Sequence, residues 1–315
     1  MDFLQIQHLS NSIGGSVILK DVNLKFEQGQ RISIAGQTGS GKTTLLRSIA
    51  GLIQPDDGTV FFKGEKVKGP QEQLIPGHPR IAYLSQYFEL RNHYRVSEEL
   101  GYANKLSLEH AEQIFEICRI GHLLQRYTHQ LSGGERQRIA MAKLLLSGPE
   151  LLLLDEPFSN LDQHHLKWMQ EIIEKVGKDM GMTVILVDHE PDHILPWAQR
   201  IIVLKDGEIT QEGTPEGIYR NPVNAYVAGL FGRFSIMPDR WKAGTDRGKF
   251  LVCRPEQLTF YKREASGEGI KGEVVDVRYY GSHNEVEVNV GETELLVRVA
   301  VNASVKRKLV TVYPK

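Results

Sequence analysis

The segment from Gly36 to Thr43 has the residue types and spacing of a loop that binds phosphate groups. It reads Gly36-Gln37-Thr38-Gly39-Ser40-Gly41-Lys42-Thr43 and matches G-x-x-x-x-G-K-[ST] at every fixed position. Glycines let backbone N–H groups point at an anion, and the helix that follows presents its positive end to the same place. We expect this loop, continued to Thr44, to bind a nucleotide, with Lys42 on the β- and γ-phosphates and the Thr43 hydroxyl on Mg²⁺.

Two neighbouring acids, Asp155 and Glu156, follow the apolar run Leu151–Leu154. Four consecutive leucines favour a strand buried on both faces, and ligands bind at the carboxyl ends of strands in open α/β sheets. We expect Asp155 to hold Mg²⁺ and Glu156 to polarise the attacking water, because phosphoryl transfer needs mainly positioning and charge neutralisation. Acids also end strands simply for solubility, so this prediction depends on the phosphate loop.

A second candidate anion site is the sequence Leu131-Ser132-Gly133-Gly134-Glu135. Ser132 fits the N-cap of a helix over Glu135–Leu146, and the two glycines allow close backbone approach to a ligand. A helix start of this kind can bind an anion. Taken alone, a plain capped helix explains the motif better.

The elements around these motifs alternate between strand and helix. Buried-strand patterns occur at Arg31–Ala35, Leu151–Leu154 and Thr183–Val187, and helical periodicity occurs at Thr44–Ala50, Ser97–Gly121, Glu135–Leu146 and Leu161–Met180. This alternation predicts an α/β fold with a largely parallel sheet. In the second helical segment, one predicted apolar face contains Leu108, Ala111, Ile114, Phe115 and Cys118.

After about residue 235 the pattern changes to short strands. Strict alternation at Gly272–Val277, Glu285–Val290 and Glu294–Val299 predicts a small all-β barrel. We therefore predict a nucleotide-binding domain over residues 1–234, a linker over residues 235–249 and a β domain over residues 250–315.

The composition excludes several other classes of protein. The 315 residues carry a formal net charge of -1, which argues against a dedicated nucleic-acid binder. The two cysteines, Cys118 and Cys253, cannot build a disulfide framework and favour a reducing compartment. The start Met1–Ile6 does not have the pattern of a secretory signal, and no apolar run approaches the length of a membrane span. A role at a membrane would therefore need a partner that spans it.

The motifs stand in the order and rough spacing found in the ATP-binding subunits of ABC transporters, and residues 1 to about 232 resemble that family. Its Leu-Ser-Gly-Gly-Glu element is nearly private to it. The resemblance implies the ABC cassette form of the P-loop NTPase fold, with a parallel-sheet core, an antiparallel β subdomain and a helical subdomain. It also implies that Ser132, Gly133 and Gly134 bind the γ-phosphate held by a second copy, so that two ATP molecules are enclosed in a head-to-tail dimer.

The resemblance assigns three further residues by their position. Gln86 is similar to the glutamine that touches Mg²⁺ and senses the membrane partner, Asp162 lies in the loop that communicates across the dimer, and His189 is similar to the histidine that contacts the γ-phosphate. A surface Gln, a helix N-cap and a satisfied His are the competing explanations. The chain departs from the family at Ile13, where an aromatic residue usually stacks on adenine, and in the loop Tyr87–Arg95, which in the family faces the permease.

The sequence His189-Glu190-Pro191-Asp192-His193 also matches H-E-x-x-H, the pattern of zinc proteases. That chemistry needs both histidines on one face of a continuous helix. Pro191 fits the first turn of a helix that begins after His189, so the two rings would share no helical face. We therefore reject this alternative and expect no stoichiometric zinc.

The region from about residue 245 resembles the accessory β-barrel of importer ATPases, an OB-like or TOBE-like domain. Arg254-Pro255-Glu256 is similar to the element that commonly opens it. A dimerisation or regulatory role without a ligand pocket and a ligand-sensing role are equally compatible with these residues.

Together these observations predict an ATPase subunit that powers import through a membrane ABC transporter. Lys42, Glu156 and His189 are the expected catalytic residues, and ATP and Mg²⁺ are the expected cofactors. The expected partners are a second copy, integral-membrane permease subunits and an extracytoplasmic substrate-binding protein, at the cytoplasmic face of the inner membrane, with no nucleic acid. A soluble ABC ATPase in translation or DNA maintenance is the alternative, and the intact motifs argue against a non-catalytic regulator. Importer subunits that carry such a barrel drive uptake of iron, sulfate, molybdate, polyamines or sugars, and the single short barrel leads us to expect iron(III), another small ion or a polyamine.

Overall fold

The computed structural model describes residues 3–85, 90–238, 241, 250–291, 293–301 and 309–315. The chain divides into two compact units, Met1–Pro215 and Glu216–Lys315, and each is described by itself.

The first unit alternates strands and helices, as the sequence predicts. Its strands are β1 (Leu4–Ile13), β2 (Ser16–Phe26), β3 (Arg31–Ala35), β4 (Asp57–Phe62), β5 (Glu65–Lys66), β6 (Ile81–Leu84), β7 (Leu151–Asp155), β8 (Thr183–Val187), β9 (Arg200–Lys205) and β10 (Glu208–Gly213). Its helices are α1 (Lys42–Ile49), α2 (Val96–Ala103), α3 (Leu108–Cys118), α4 (Gly133–Leu146), α5 (Gln163–Lys178) and α6 (Pro191–Trp197).

The central sheet has the strand order β10-β9-β3-β8-β7-β6, with only the edge strand β10 antiparallel to its neighbour. Its middle strands are buried on both faces. In β7, Leu151 and Leu153 pack into one apolar cluster, whereas Leu152 and Leu154 pack into another on the opposite face. This is why the strand is a continuous apolar run and not an alternating one. Its carboxyl end is where the candidate acids lie.

A separate antiparallel sheet has the order β2-β1-β4-β5. Its first hairpin turns at Gly14 and Gly15, both with positive φ. The parallel core and this antiparallel sheet match the predicted layers.

The helical segment predicted over Ser97–Gly121 is two helices, α2 and α3, because Ser107 caps a new helix by accepting a hydrogen bond from the His110 backbone N–H. Ala111, Ile114 and Cys118 are buried as predicted. The prediction for Leu108 is wrong: its side chain is exposed, since it is the first residue of α3 and precedes the buried part of that helix. In the described part of the chain, no helix is both long and apolar enough to cross a lipid bilayer.

The second unit contains two short helices, α7 (Pro215–Arg220) and α8 (Ala225–Leu230), with α7 beginning at the last residue of the first unit. It continues with the strands β11 (Ser235–Ile236), β12 (Val252–Cys253), β13 (Leu258–Thr259), β14 (Ile270–Tyr279), β15 (His283–Val290), β16 (Thr293–Ala300) and β17 (Leu309–Pro314). The strands β13-β17-β14-β15-β16 form an antiparallel sheet, and its two ends contact each other to make a nearly closed barrel. Alternate residues, among them Val286, Val288, Leu295 and Val297, fill the interior.

Residues 239, 240 and 242–249 of the predicted linker lie outside the described residues, whereas Ser235 and Ile236 pair with β12. Both α7 and α8 precede the predicted boundary at residue 234. All of α8, and all of α7 except Pro215, are nevertheless grouped with the barrel. The barrel class predicted for the C-terminal region is confirmed.

Candidate active site

The phosphate loop connects β3 to α1, and its glycines are required by close backbone approach. A β-carbon on Gly36 would lie 2.3 Å from the carbonyl oxygen of Leu204. Gly41 has φ 101° and precedes α1, and a β-carbon there would lie 2.8 Å from the carbonyl oxygen of Ile18. The first N–H groups of α1 have no acceptor within their own helix, so they are available to an anion.

Lys42 lies inside this loop with its side chain nearly buried. Its ammonium donates hydrogen bonds to the carbonyl oxygens of Gly36 (2.7 Å) and Gln37 (2.8 Å). Burial lowers the pKa of Lys42, and the negative charges of Glu156 and Asp155 act in the opposite direction. The buried hydroxyl of Ser40 in the same loop has no hydrogen-bond partner among the described residues. A nearly buried cation and a buried, unpaired hydroxyl in the loop before a helix N-terminus fit the phosphates of a nucleotide.

Asp155 ends β7 beside the phosphate loop. Its carboxylate accepts a hydrogen bond from the Thr43 hydroxyl (3.1 Å) and another from the Tyr83 hydroxyl (2.9 Å). Burial raises the pKa of Asp155, and the hydrogen bonds from Tyr83 and Thr43 oppose that rise. The oxygens of Thr43 and Asp155 thus stand side by side, which is the hard-oxygen donor set that Mg²⁺ takes together with phosphate oxygens and water.

Glu156 follows Asp155 in a left-handed backbone conformation, with φ 48°. Its N–H donates to the Val187 carbonyl oxygen of the neighbouring strand (3.0 Å). The Ser159 hydroxyl donates to the Glu156 carboxylate (3.0 Å). The turn after β7 therefore fixes the direction of this carboxylate.

The Ser132 turn is a complete helix N-terminus. The Ser132 hydroxyl accepts from the backbone N–H of Glu135 (3.2 Å), and the Glu135 carboxylate accepts from the backbone N–H of Ser132 (2.9 Å), which is a capping box. The predicted N-cap is thus present. No hydrogen bond in the described part of the chain joins Ser132 to Lys42 or Thr43.

His189 lies just beyond β8, and its side chain is more than half exposed. The preceding residue, Asp188, is buried and accepts hydrogen bonds from the backbone N–H groups of His189 (2.6 Å) and Glu190 (2.9 Å) and from Nδ1 of His193 (2.8 Å). The helix α6 begins at Pro191, so the two histidines of the H-E-x-x-H match do not lie on one helix, as expected.

The family comparisons agree with this geometry. A model described as "ABC transporter" matches residues 19–159, and one described as "TOBE domain" matches residues 251–311. The sulfate/thiosulfate import ATP-binding protein CysA of Vibrio cholerae is 31% identical over 313 residues, which cover 90% of this chain and 82% of that protein. This chain belongs to the ABC transporter family.

Other relatives place the ABC chain among the ATP-binding proteins of that family. The spermidine/putrescine import ATP-binding protein PotA of Legionella pneumophila is 30% identical, with 93% of this chain and 88% of that protein covered. The solved dimeric ATP-binding cassette MJ0796, bound to ADP and Pi, has a TM-score of 0.59 and 27% identity, covering 67% of this chain and 98% of that chain. The predicted family, the cassette fold and the activity as an ATPase are confirmed.

The remaining predicted residues of the ABC chain differ in how the structure describes them. Asp162 caps α5, with its carboxylate accepting from the backbone N–H groups of His164 (3.0 Å) and His165 (2.9 Å). Gln86 and residues 87–89 of the Tyr87–Arg95 loop lie outside the described residues. Ile13 ends β1 with its side chain about half exposed.

Three side chains at this site were not predicted from the sequence. Tyr83 binds Asp155, His193 binds Asp188, and His165 binds Asp162. The position of Tyr83 shortly before Gln86, in the sequence Tyr83-Leu84-Ser85-Gln86, is an available signal. Nothing local marked His165 or His193 as partners of these acids.

Proposed function

We propose that this chain is the ATP-hydrolysing subunit of an ABC importer, working as a head-to-tail dimer on the cytoplasmic face of a membrane. The observation that carries the proposal is the cluster of Lys42, Thr43, Asp155 and Glu156 around one loop of backbone N–H groups. Such a cluster supplies the positioning and charge neutralisation that phosphoryl transfer needs.

In this proposal each residue of the cluster has a distinct role. The loop N–H groups, the Ser40 hydroxyl and the Lys42 ammonium bind the phosphates, while Thr43 and Asp155 hold Mg²⁺. Bound there, Mg²⁺ would neutralise charge on the β- and γ-phosphate oxygens. Glu156 accepts a hydrogen bond from the attacking water and orients it towards the γ-phosphate. His189 contacts the γ-phosphate, and Gln86 and Asp162 keep the roles that the family resemblance gives them.

The dimer gives the Ser132 turn its ligand. The N-terminus of α4 is an anion site, and in the proposed sandwich Ser132, Gly133 and Gly134 of one copy meet the γ-phosphate held by the loop of the other. The dimeric state of the MJ0796 cassette supports this arrangement. Each dimer then encloses two ATP molecules.

The names of two relatives support the proposed membrane partners. CysA and PotA are import ATP-binding proteins, and we propose that this chain likewise drives integral-membrane permease subunits supplied by an extracytoplasmic substrate-binding protein. Those two relatives are named for sulfate or thiosulfate and for polyamines, which carry opposite charges. The substrate is therefore set by the partner proteins, and purification of the chain with its permease, as opposed to ribosomes or DNA, tests this part.

The decisive test is Glu156→Gln in the full chain. The amide retains the side-chain shape but lacks the negative charge that polarises the attacking water. Hydrolysis should therefore fall by about 10²–10³ while ATP binding persists. Phosphate release gives the first quantity, and size-exclusion chromatography with ATP should show a trapped dimer. Glu208→Gln, an exposed acid on β10, is the control and should hydrolyse ATP normally. Unchanged turnover in Glu156→Gln would remove this residue from the proposed role.

A further inference from the structure

The imidazole of His165 packs against Gly134 in the first turn of α4. A β-carbon built on Gly134 would lie 2.2 Å from Cδ2 and 2.4 Å from Cγ of the His165 ring. Gly134 lies within the first turn of α4, and alanine is a better helix former than glycine at a helical position. The ring of His165 therefore supplies a local reason why this position has no side chain, and it forms the support beneath the Ser132 turn.

Both sides of this ring are fixed. Nδ1 of His165 donates to the carboxylate of Asp162 at 2.9 Å, and the His165 side chain is 22% exposed. Trp168 meets the ring edge to face, with centroids 5.5 Å apart. The guanidinium of Arg138, which is part of α4, lies 4.6 Å from the Trp168 ring centre. The imidazole is thus held between the start of α5 and the start of α4.

Asp162 lies six residues after the candidate catalytic acid Glu156 in the chain. The Ser159 hydroxyl binds the Glu156 carboxylate, and Asp162, three residues after Ser159, binds His165. His165 in turn touches Gly134. In the proposed dimer, Glu156 serves the nucleotide of its own loop, whereas Gly134 serves the nucleotide of the other copy. The short segment from Glu156 to His165 therefore lies between the parts of one chain that serve two different ATP molecules in the proposed dimer.

We propose that His165 is a positioning residue that holds the Ser132–Gly134 turn in place relative to the loop after Glu156. This inference rests on the proposed function, because the turn meets a phosphate only in the dimer. The hydrogen bond to Asp162 fixes the orientation of the ring. The ring in turn fixes the position of the first turn of α4 relative to the loop after Glu156. A shift of about 1 Å at a positioning contact can cost up to 10²-fold in rate.

The test compares three substitutions in the full chain. His165→Leu retains a side chain of similar bulk but removes the N–H group that donates to Asp162. His165→Asn keeps a donor, since its amide nitrogen occupies the place of Nδ1. His164→Asn is the matched control, because the His164 ring contacts Trp168 at 4.0 Å and its side chain has no hydrogen bond to Asp162. The kcat for ATP hydrolysis and the affinity for a fluorescent ATP analogue are measured for each.

We expect His165→Leu to lower kcat about tenfold while the affinity for the analogue changes by less than about twofold. Before the dimer forms, the analogue contacts only the phosphate loop of one copy, and among the described residues no hydrogen bond joins His165 to that loop. His165→Asn should recover most of the lost kcat, and His164→Asn should match the parent chain. The inference is overturned if His165→Leu keeps its full kcat, or if Leu and Asn reduce kcat equally and both melt earlier, which would indicate packing alone.

A second measurement does not depend on activity. Gly134→Ala should lower the melting temperature by about 2–4 °C because its methyl group meets the ring, and in a His165→Ala background the same change should be neutral or stabilising. Additive shifts would show that the two residues do not touch. Lys42→Ala and Glu156→Gln separate the two proposals: if these keep hydrolysing ATP, the proposed function fails. If Lys42→Ala and Glu156→Gln lose hydrolysis and His165→Leu keeps the full kcat of the parent chain, only the role of His165 fails.

Discussion

Glu156 has a backbone conformation that a residue with a β-carbon adopts only under constraint. Its φ of 48° lies in the left-handed region, which costs roughly 1–2 kcal/mol for such a residue. Hydrogen bonds to Val187 and Ser159 on either side hold the turn. Strained residues of this kind concentrate at functional sites, where the strain fixes the position of a reacting group. The sequence predicts the acid, whereas the conformation depends on the neighbouring strand β8.

Asp155 illustrates how a functional residue can reduce stability. Burial raises the pKa of its carboxyl group above the ordinary value, although Tyr83 and Thr43 donate hydrogen bonds to it. A raised pKa means that folding favours the protonated form. The stability that this form contributes is present below the ordinary pKa of about 4 and is lost as the pH rises through the folded value.

We therefore expect Asp155→Asn to raise the melting temperature of the nucleotide-free and magnesium-free chain by about 2–4 °C near neutral pH. The gain should disappear below about pH 4, where the carboxyl group is neutral in both states. The same variant should lose at least about 10²-fold in magnesium-dependent hydrolysis, because its amide is a poor ligand for Mg²⁺. Calorimetry and phosphate release measure the two effects. Asp179→Asn, at an exposed helix end, is the control, and an earlier melting of Asp155→Asn would contradict the argument.

At the scale of elements, a buried acid links two helices of the first unit, α2 and α4. Glu99 of α2 is fully buried and accepts hydrogen bonds from Lys143 of α4 (2.5 Å) and from Arg91 (2.7 Å). The Arg91 guanidinium lies 4.5 Å from the ring centre of Tyr94 and 4.5 Å from that of Tyr102. Burial acts to raise the pKa of Glu99, but the hydrogen bonds from Lys143 and Arg91 outweigh it, and the pKa lies below its ordinary value.

The lowered pKa predicts a pH-dependent loss of stability in Glu99→Gln. The ionised carboxylate contributes stability above its unfolded pKa, so near neutral pH the substitution should cost about 1–3 kcal/mol. As the pH falls below about 4.3 and through the folded pKa, the parent chain loses this contribution and the difference should shrink. Urea unfolding at a series of pH values measures it. Glu112→Gln, exposed on α3, should show no such trend. A difference that stays constant with pH would contradict a role for the ionised group.

The elements also show which features a sequence can predict. The strands β3, β7 and β8 are found within one residue of their predicted bounds, because an apolar run between polar residues is a local signal. The contact between Tyr83 and Asp155 depends on the order β6-β7-β8, which no local pattern encodes. The same reason hides His165, whose partner Gly134 belongs to another helix. The break at Ser107 was missed because the helical period continues across it.

At the scale of the whole molecule, one buried arginine connects the two helices of the second unit to the strands that follow them. Arg254 is fully buried, and its guanidinium donates to the carbonyl oxygens of Tyr219, Ala228, Gly232 and Arg233 at 3.0–3.3 Å. These carbonyls lie near the C-terminal ends of α7 and α8, where helix dipoles place negative charge. We propose that this is why the compact second unit begins near residue 216. A chain ended at residue 234, the boundary predicted from the sequence, would keep both helices without Arg254.

Removal of this guanidinium should therefore destabilise the second unit selectively. Arg254→Met keeps an unbranched side chain but leaves several buried carbonyls unpaired, at a cost of about 3 kcal/mol. Calorimetry should show earlier melting of the barrel and its helices, while the phosphate loop, whose contacts lie within the first unit, retains its affinity for an ATP analogue. Arg263→Met is the matched control, since that arginine is 82% exposed, lies 4.0 Å from Glu264 and stands over the ring of Tyr261. An unchanged melting profile in Arg254→Met would mean that water hydrogen-bonds to the carbonyl oxygens in place of the guanidinium. Loss of affinity for the ATP analogue together with the earlier melting would mean that the two units do not fold separately.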